Sequence, residues 1–385
     1  MKPIKLVRIT TVPISLDLLL RGQLKFMREQ NIEVFTASAD GPEITRFSER
    51  EGVPHKIFPL TRKITPFIDM KAVVELRNWL KEIKPDIVHT HTPKAGLIGM
   101  MAALWAGVPH RLHTVAGMPL MEATGTKRKI LEAAERVTYS CATAVYPNSM
   151  NLKSFIESSI PVDKQKLKVI GKGSSNGIDT DFFQNTPALS AQGSNLRNSL
   201  GIGEKELVFT FVGRIVKDKG INELITAFLK LSEIRNDSHL VLVGPFEDHL
   251  DPVSADTRKA ITEHPRIHSV GFQSDIRPYL SMTDVFVFPS YREGFPNVVL
   301  QAASFQLPVI VTDINGCNEI IADGENGIIV PAKDSQALLE AMNRYASNAD
   351  LRGLFGLAAR ASVVDNYSQS AIWQALLKEY RELVQ

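Results

Sequence analysis

Short β-type runs alternate with helical patterns along nearly the whole chain, and that alternation leaves few folds open. The β-type runs cover residues 6–10, 34–37, 87–90, 111–115, 144–147 and 167–170, then 207–212, 239–243, 267–270, 285–288, 309–312 and 327–330. Helical patterns such as 71–83, 127–139 and 334–346 fall between them. Strands spaced by helices predict parallel sheets, because a parallel neighbour needs a long crossover and the helix supplies it. At 385 residues the chain exceeds the length that one core serves efficiently, so two α/β domains are expected, 1–178 and 179–367. The stretch 186–203, rich in Ser, Asn, Gly and Pro, reads as a linker.

Two strand ends in the second half carry chemistry. In the first, an apolar strand ends at Gly213, and Arg214 and Lys219 precede a helix at 222–232. Arginine offers a planar fork and lysine a point charge, a pair suited to a diphosphate whose charge grows as it departs. In the second, the strand 285–288 runs through Pro289 into Ser290-Tyr-Arg-Glu293-Gly294-Phe295-Pro296-Asn297, and a helix follows from Val298. Strand, Gly/Pro turn and helix N-terminus in succession form an anion site, with N–H groups and a positive dipole end facing one crevice. Glu293 is a poor neighbour for phosphate and a good acceptor for sugar hydroxyls, which suggests a sugar-phosphate ligand such as a nucleotide-sugar. A cation after a strand is usually just solvated, and a lone loop glutamate usually does nothing. Here both motifs sit at C-terminal strand ends of one α/β unit, where such sheets bind ligands.

Charge is unevenly divided. Residues 1–178 hold 26 Lys+Arg against 16 Asp+Glu, a net of +10, and the remainder nets −8. Half of the weight belongs to ordinary solvated surface. The sharper reading is an anionic partner, a membrane surface or lipid diphosphate, met by Lys127, Arg128 and Lys129 or by Arg62 and Lys63. Nucleic acid is disfavoured, since no basic stripe is interleaved with aromatics. Cys141 and Cys317 show no paired spacing, which suits a reducing cytoplasm. Neither a signal-peptide core nor a spanning apolar run is present.

Several lookalikes have blander readings. Gly171-Lys-Gly-Ser-Ser-Asn-Gly imitates a dinucleotide fingerprint, but Asn176 breaks it. Asp179-Thr-Asp181 imitates a metal-binding pair, and Asp179 is expected to cap the following turn. His89 and His91 alternate on one strand, so at most one is expected to face the crevice. His91-Thr-Pro-Lys94 at that strand's end is an acceptor-site candidate.

Val212-Gly-Arg214 with Lys219, Asn176-Gly-Ile-Asp179, Glu293-Gly-Phe-Pro-Asn297 and the eight-residue step from Glu293 to Gln301 resemble the retaining glycosyltransferases of the GT-B fold. That group includes bacterial α-mannosyltransferases and glycogen synthase. His89-Thr-His-Thr-Pro-Lys-Ala-Gly and Asn315-Gly-Cys-Asn-Glu-Ile-Ile are similar to enzymes that build capsular, O-antigen or exopolysaccharide repeat units. The resemblance implies two Rossmann-like, doubly wound domains facing a central cleft, with a final helix crossing back to the N-terminal domain (368–385). It implies a UDP-sugar donor held by Gly213, Phe272, Gly294, Phe295, Pro296, Asn297 and Gln301, with Arg214, Lys219 and Glu293 catalytic. The acceptor, on a lipid diphosphate, would meet His91, Lys94 or His113 in the N-terminal domain. Neither metal nor cofactor is implied, and the expected location is the cytoplasm, peripheral to the inner membrane.

Three departures from the family pattern stand out. Gln301 replaces a second Glu, Ala116 replaces a His, and the loop 10–17 lacks the usual Gly-Gly. Two alternatives from other classes stay open. A sugar-nucleotide epimerase would need clustered acids and His; a catalytically silent scaffold would tolerate the losses at 301 and 116.

Overall fold

A computed structural model of the chain describes residues 3–121, 123–248 and 251–385. It divides into two compact units, Met1–Gly177 with Gln369–Gln385, and Ile178–Ser368. The first unit holds β1 (Ile4–Ile9), β2 (Ile32–Ser38), β3 (His55–Ile57), β4 (Ile87–His91), β5 (His110–Val115) and β6 (Ala144–Pro147). They form one sheet in the order β3-β2-β1-β4-β5-β6, every pairing parallel. The second unit holds β7 (Leu207–Val212), β8 (Ser238–Val243), β9 (Ile267–Gly271), β10 (Val285–Phe288), β11 (Val309–Thr312) and β12 (Ile328–Val330). Their order is β12-β11-β10-β7-β8-β9, again all parallel.

Each sheet is therefore doubly wound. The chain walks from a central strand to one edge, then returns to the other side of its starting strand. The reversal falls between β1 and β4 in one unit and between β7 and β10 in the other, and such switch points open a crevice at the carboxyl ends of the strands. β7, β8, β10 and β11 are buried at every position, as strands covered by helices on both faces must be. Phe211 and Phe288 stack at 5.9 Å between centroids and tie β7 to β10 directly under the second switch point.

The last helix, Gln369–Val384, belongs to the first unit. Leu376, Leu377 and Tyr380 enter the core that holds Leu6, Leu24 and Met27. Trp373 rests against Phe26 at 5.3 Å and donates its indole N–H to Asn176 Oδ1 at 2.7 Å.

Two local expectations are corrected, and one strand, β3, was not foreseen. Residues 186–203 are mostly a helix, Pro187–Ser199, with Thr186 capping it by accepting from Leu189 N at 3.3 Å. Thr-Pro at a helix start outweighs the Ser/Asn/Gly composition. Residues 167–170 make only a single bridge, Leu167 to Val145, and no strand. β3 has three residues, two of them exposed, too few to show a period of two.

Candidate functional site

Two loops are pinned together at the β7/β10 switch point. The turn Lys217–Lys219 leads to Gly220, whose φ is +70° and whose Cα lies so near the Pro289 carbonyl that a Cβ would overlap it. Only glycine fits there. That approach sets Lys219 beside the loop after β10, where its Nζ bonds Glu293 Oε1 and Ser290 Oγ donates to the same oxygen at 3.1 Å. Thr312 Oγ1 donates to the Ser290 carbonyl, and Asn315 Nδ2 donates to the carbonyls of Glu293 (3.1 Å) and Gly294 (2.8 Å). Gly316, at φ +78°, presses against Gly294 and Phe295. The turn from Glu293 to Pro296 is thus fixed from two sides. The helix Asn297–Ser304 leaves it with no side-chain cap. The Val299 amide already donates to the Pro296 carbonyl at 3.1 Å, and the positive end of the helix favours an anion at the amides before it.

Both cations singled out in the sequence carry carboxylate partners. Arg214 Nη1 donates to Glu247 Oε2 at 2.9 Å. Its pKa is raised, first by that bond and also by the fields of Glu247, Asp218 and Glu293, against the effect of burial. Asp218 offers Oδ2 to the Arg292 guanidinium at 2.6 Å, while its Oδ1 is buried without a partner. Sequence reasoning missed both acids. Asp218 lies inside the Arg214–Lys219 motif itself, and Glu247 follows the carboxyl end of β8, the strand beside β7; that placement is the signal that would have found it. Of the other residues expected to hold the donor, Gly213 follows β7, and Gly294, Phe295 and Pro296 form the turn. Gln301 lies one turn into the helix, half-buried. Phe272 is in the loop after β9, exposed and two strands from β7.

The β1/β4 switch point of the first unit is built on a buried cation. Arg8 on β1 donates Nη1 to Tyr380 OH and Nη2 to His91 Nε2, each at 2.5 Å, and its Nε has no partner. His89 links Tyr380 OH (2.6 Å, through Nδ1) to Thr114 Oγ1 (2.7 Å, through Nε2). Residues two apart on a strand share a face. His89 and His91 accordingly stack at 4.7 Å, which corrects the expectation that at most one of them faces the crevice. Burial, reinforced by Arg8, holds both rings well below the usual histidine pKa.

The structure scatters the three acceptor-site candidates. His91 is buried at the switch point with Nδ1 unpartnered. His113 is a core histidine: its Nδ1 bonds Thr90 Oγ1 at 2.8 Å, its ring packs against Gly96, and burial pushes its pKa down to about 4. Lys94 pairs with Asp69 Oδ2 at 2.7 Å and bonds the Lys63 carbonyl, which ties the start of the helix Pro93–Ala106 to the first turn of the helix Pro66–Ile83 and to the segment before it.

Lys71, Lys94, Lys127, Arg128 and Lys129 lie on a layer of three packed helices, and Arg62 and Lys63 lie just before it. Pro66–Ile83 packs beside Pro93–Ala106, which packs beside Gly125–Cys141. Lys127 and Lys129 are exposed in the first turns of Gly125–Cys141, and Arg128 is partly covered. Arg62, Lys63 and Lys71 are exposed around Ile64 and Phe67, which are 73% and 93% exposed. Among the described residues, no helix is long and apolar enough to cross a membrane.

Residues 193–362 match the family described as Glycosyl transferases group 1, and residues 22–173 match the Glycosyl transferase 4-like domain. The chain is 34% identical to the capsular polysaccharide biosynthesis glycosyltransferase CapM of Staphylococcus aureus, over 99% of this chain and 97% of that protein. It is 32% identical to a UDP-Gal:alpha-D-GlcNAc-diphosphoundecaprenol alpha-1,3-galactosyltransferase of Escherichia coli, over 80% and 78% of the two chains. Its fold matches that of Anabaena Alr3699/HepE, solved in complex with UDP, with a TM-score of 0.81 at 20% identity over 98% and 100% of the chains. Nothing among these matches favours an epimerase or a silent scaffold. With two Rossmann-like sheets and this span of similarity, the chain belongs to the group 1 glycosyltransferases of the GT-B fold.

Proposed function

We propose that the enzyme moves a hexose or N-acetylhexosamine from a UDP-sugar, with retention of anomeric configuration, to a sugar carried on a lipid diphosphate during capsule-type polysaccharide assembly. The observation that carries this reading is the Lys219–Glu293 pair at the β7/β10 switch point, held beside the uncapped start of Asn297–Ser304. As the glycosidic C–O bond breaks, negative charge builds on the departing diphosphate. Arg214, Lys219 and the amides before that helix are preplaced for that charge, and preorganised donors of this kind lower a barrier most. Glu247 and Glu293 neutralise the cations until a diphosphate displaces them, which frees the Glu293 carboxylate for the hydroxyls of the donor sugar. Gln301 serves the ribose with a neutral amide. The leaving phosphate takes the acceptor's proton, so the alanine at 116 costs no general base.

UDP in complexes of HepE supports the donor base, and the name of the Escherichia coli relative supports an N-acetylated acceptor sugar on a diphospholipid. The basic layer with Lys127, Arg128, Lys129, Arg62 and Lys63, together with exposed Ile64 and Phe67, suits the anionic cytoplasmic face of the membrane where such an acceptor resides. The test is incubation of the purified chain with a panel of UDP-sugars and a diphospholipid-linked N-acetylglucosamine. Transfer from at least one donor is expected. An epimerised donor or an unreactive panel would sink the reading.

A further inference from the structure

A small pocket in the first unit opens at the carboxyl ends of β4, β5 and β6. His89, His91, Thr114, Asn148 and Ser175 supply its polar lining, and Ile170, Ile372 and Leu376 its apolar floor. The network behind it fixes where the protons are. Arginine can only donate, so His91 Nε2 accepts from Arg8 and the imidazole proton sits on Nδ1. That Nδ1–H is buried, has no partner, and belongs to a residue 1% exposed.

A second branch leaves the same guanidinium. Tyr380 oxygen accepts from Arg8 and passes its own hydrogen to His89 Nδ1. His89 Nε2–H then donates to Thr114 Oγ1, which leaves the threonine hydrogen to donate onward. Both branches therefore end as donors in one pocket, polarised in series by one buried cation. Asn148, a residue 5% exposed, supplies the opposite polarity: its Nδ2 donates to the Ala116 carbonyl at 2.9 Å, and its Oδ1 is buried without a partner and can only accept.

The lining selects against simpler ligands. No lining side chain bears a formal charge, and Asn148 Oδ1 would repel a phosphate. A hydroxyl would use the donors and leave three aliphatic side chains idle. An acetamido group satisfies every feature: its carbonyl accepts from His91 and Thr114, its N–H donates to Asn148 Oδ1, and its methyl packs on Ile170, Ile372 and Leu376. We propose that this pocket recognises the acetamido group of the acceptor sugar, with Arg8 and Tyr380 as positioning residues that hold the donors in register. The assignment rests on the acceptor reading above and deepens it, since it makes the N-acetyl group a requirement.

The test is a binding measurement, independent of turnover. Full-length protein with 15N-labelled histidine is titrated with N-acetylglucosamine and, separately, with glucose. N-acetylglucosamine is expected to move the His91 Nδ1–H signal and glucose to leave it in place. Asn148→Ala is expected to weaken N-acetylglucosamine binding by roughly 10- to 100-fold, because a bound amide N–H then lacks its acceptor. Should that variant fold poorly, Ser175→Met fills the pocket from a loop and is expected to abolish binding instead. An equal response to the two sugars, or none to N-acetylglucosamine, overturns the proposal. Absence of sugar transfer in the preceding assay would count against the enzyme's assigned reaction and leave this result standing.

Discussion

Replacing Lys219 with Met separates the two roles proposed for its ammonium, holding the loops together and serving the reaction. Lys219 and Glu293 are 14% and 18% exposed as side chains, so the change strands a largely buried carboxylate. Breaking a fully buried pair costs about 3–5 kcal/mol. Residual exposure and the Ser290 hydroxyl still bonded to Glu293 reduce that to about 1–3 kcal/mol, read as a lower urea midpoint at unchanged slope. Adding Glu293→Gln removes the stranded charge and is expected to recover most of the loss. Turnover should behave differently. Loss of one preorganised charge contact costs on the order of 100- to 1,000-fold in rate, and the double variant lacks both the cation and the carboxylate. It is therefore expected to be stable and inactive. If Lys219→Met keeps activity within threefold of the parent, or if the double variant regains activity along with stability, the roles assigned to this pair are wrong.

Three further outcomes follow from other parts of the fold. Gly220→Ala is expected to lower the unfolding free energy by roughly 2 kcal/mol or more, since it combines a left-handed φ with overlap on the Pro289 carbonyl, whereas Gly353→Ala, mid-helix in open space, is expected to add about 0.5–1 kcal/mol; thermal melts compare them. His113 has a folded pKa of about 4 against an unfolded value near 6.5, so the unfolded chain takes up the proton first as pH falls, and the stability present above pH 6.5 is lost between about 6.5 and 4. His113 alone is worth about 2 kcal/mol between pH 7 and 5, His89 and His91 act in the same direction, and His113→Asn should flatten the slope of stability against pH in urea titrations. Phe67→Ser combined with Lys127→Ser and Lys129→Ser is expected to weaken co-sedimentation with anionic liposomes at low salt, at about 1 kcal/mol for each cation and about 2 kcal/mol for the ring; unchanged co-sedimentation would show that this face does not meet lipid.

The second unit was the more legible in sequence. β7, β10 and β11 are continuous apolar runs bounded by Gly, Pro or Asp, and their limits coincide with expectation because strands buried on both faces need no alternation. The loop after β10 was readable since Gly294 and Pro296 break the chain where Glu293 must turn inward. Its supports were hidden. Nothing local says that Thr312 and Asn315 will hold the loop, because those bonds span 22, 22 and 21 residues. Charge pairing was invisible for the same reason, and Arg214 and Lys219 looked free until Glu247 and Glu293 arrived from other strand ends. In the first unit, His91 was picked out by position alone. Its working partner Arg8 sits in β1, and the tyrosine that completes the network comes from the last helix, 372 residues away from Arg8. The composition of 186–203 pointed the wrong way, since packing of Leu189 and the Arg197 contacts to Met282 and Asp284 stabilise a helix that Ser and Asn alone would not.

In the proposed reaction a diphosphate leaves from the Lys219–Glu293 site and the acceptor attacks the same face. The anomeric configuration of the product tests it most directly. The purified chain is given a UDP-α-sugar and the diphospholipid-linked acceptor, and the new linkage is read by NMR. An α linkage is expected, formed by the parent and reduced at least 100-fold in Lys219→Met. A β linkage, or a product that forms equally well without Lys219, would contradict it.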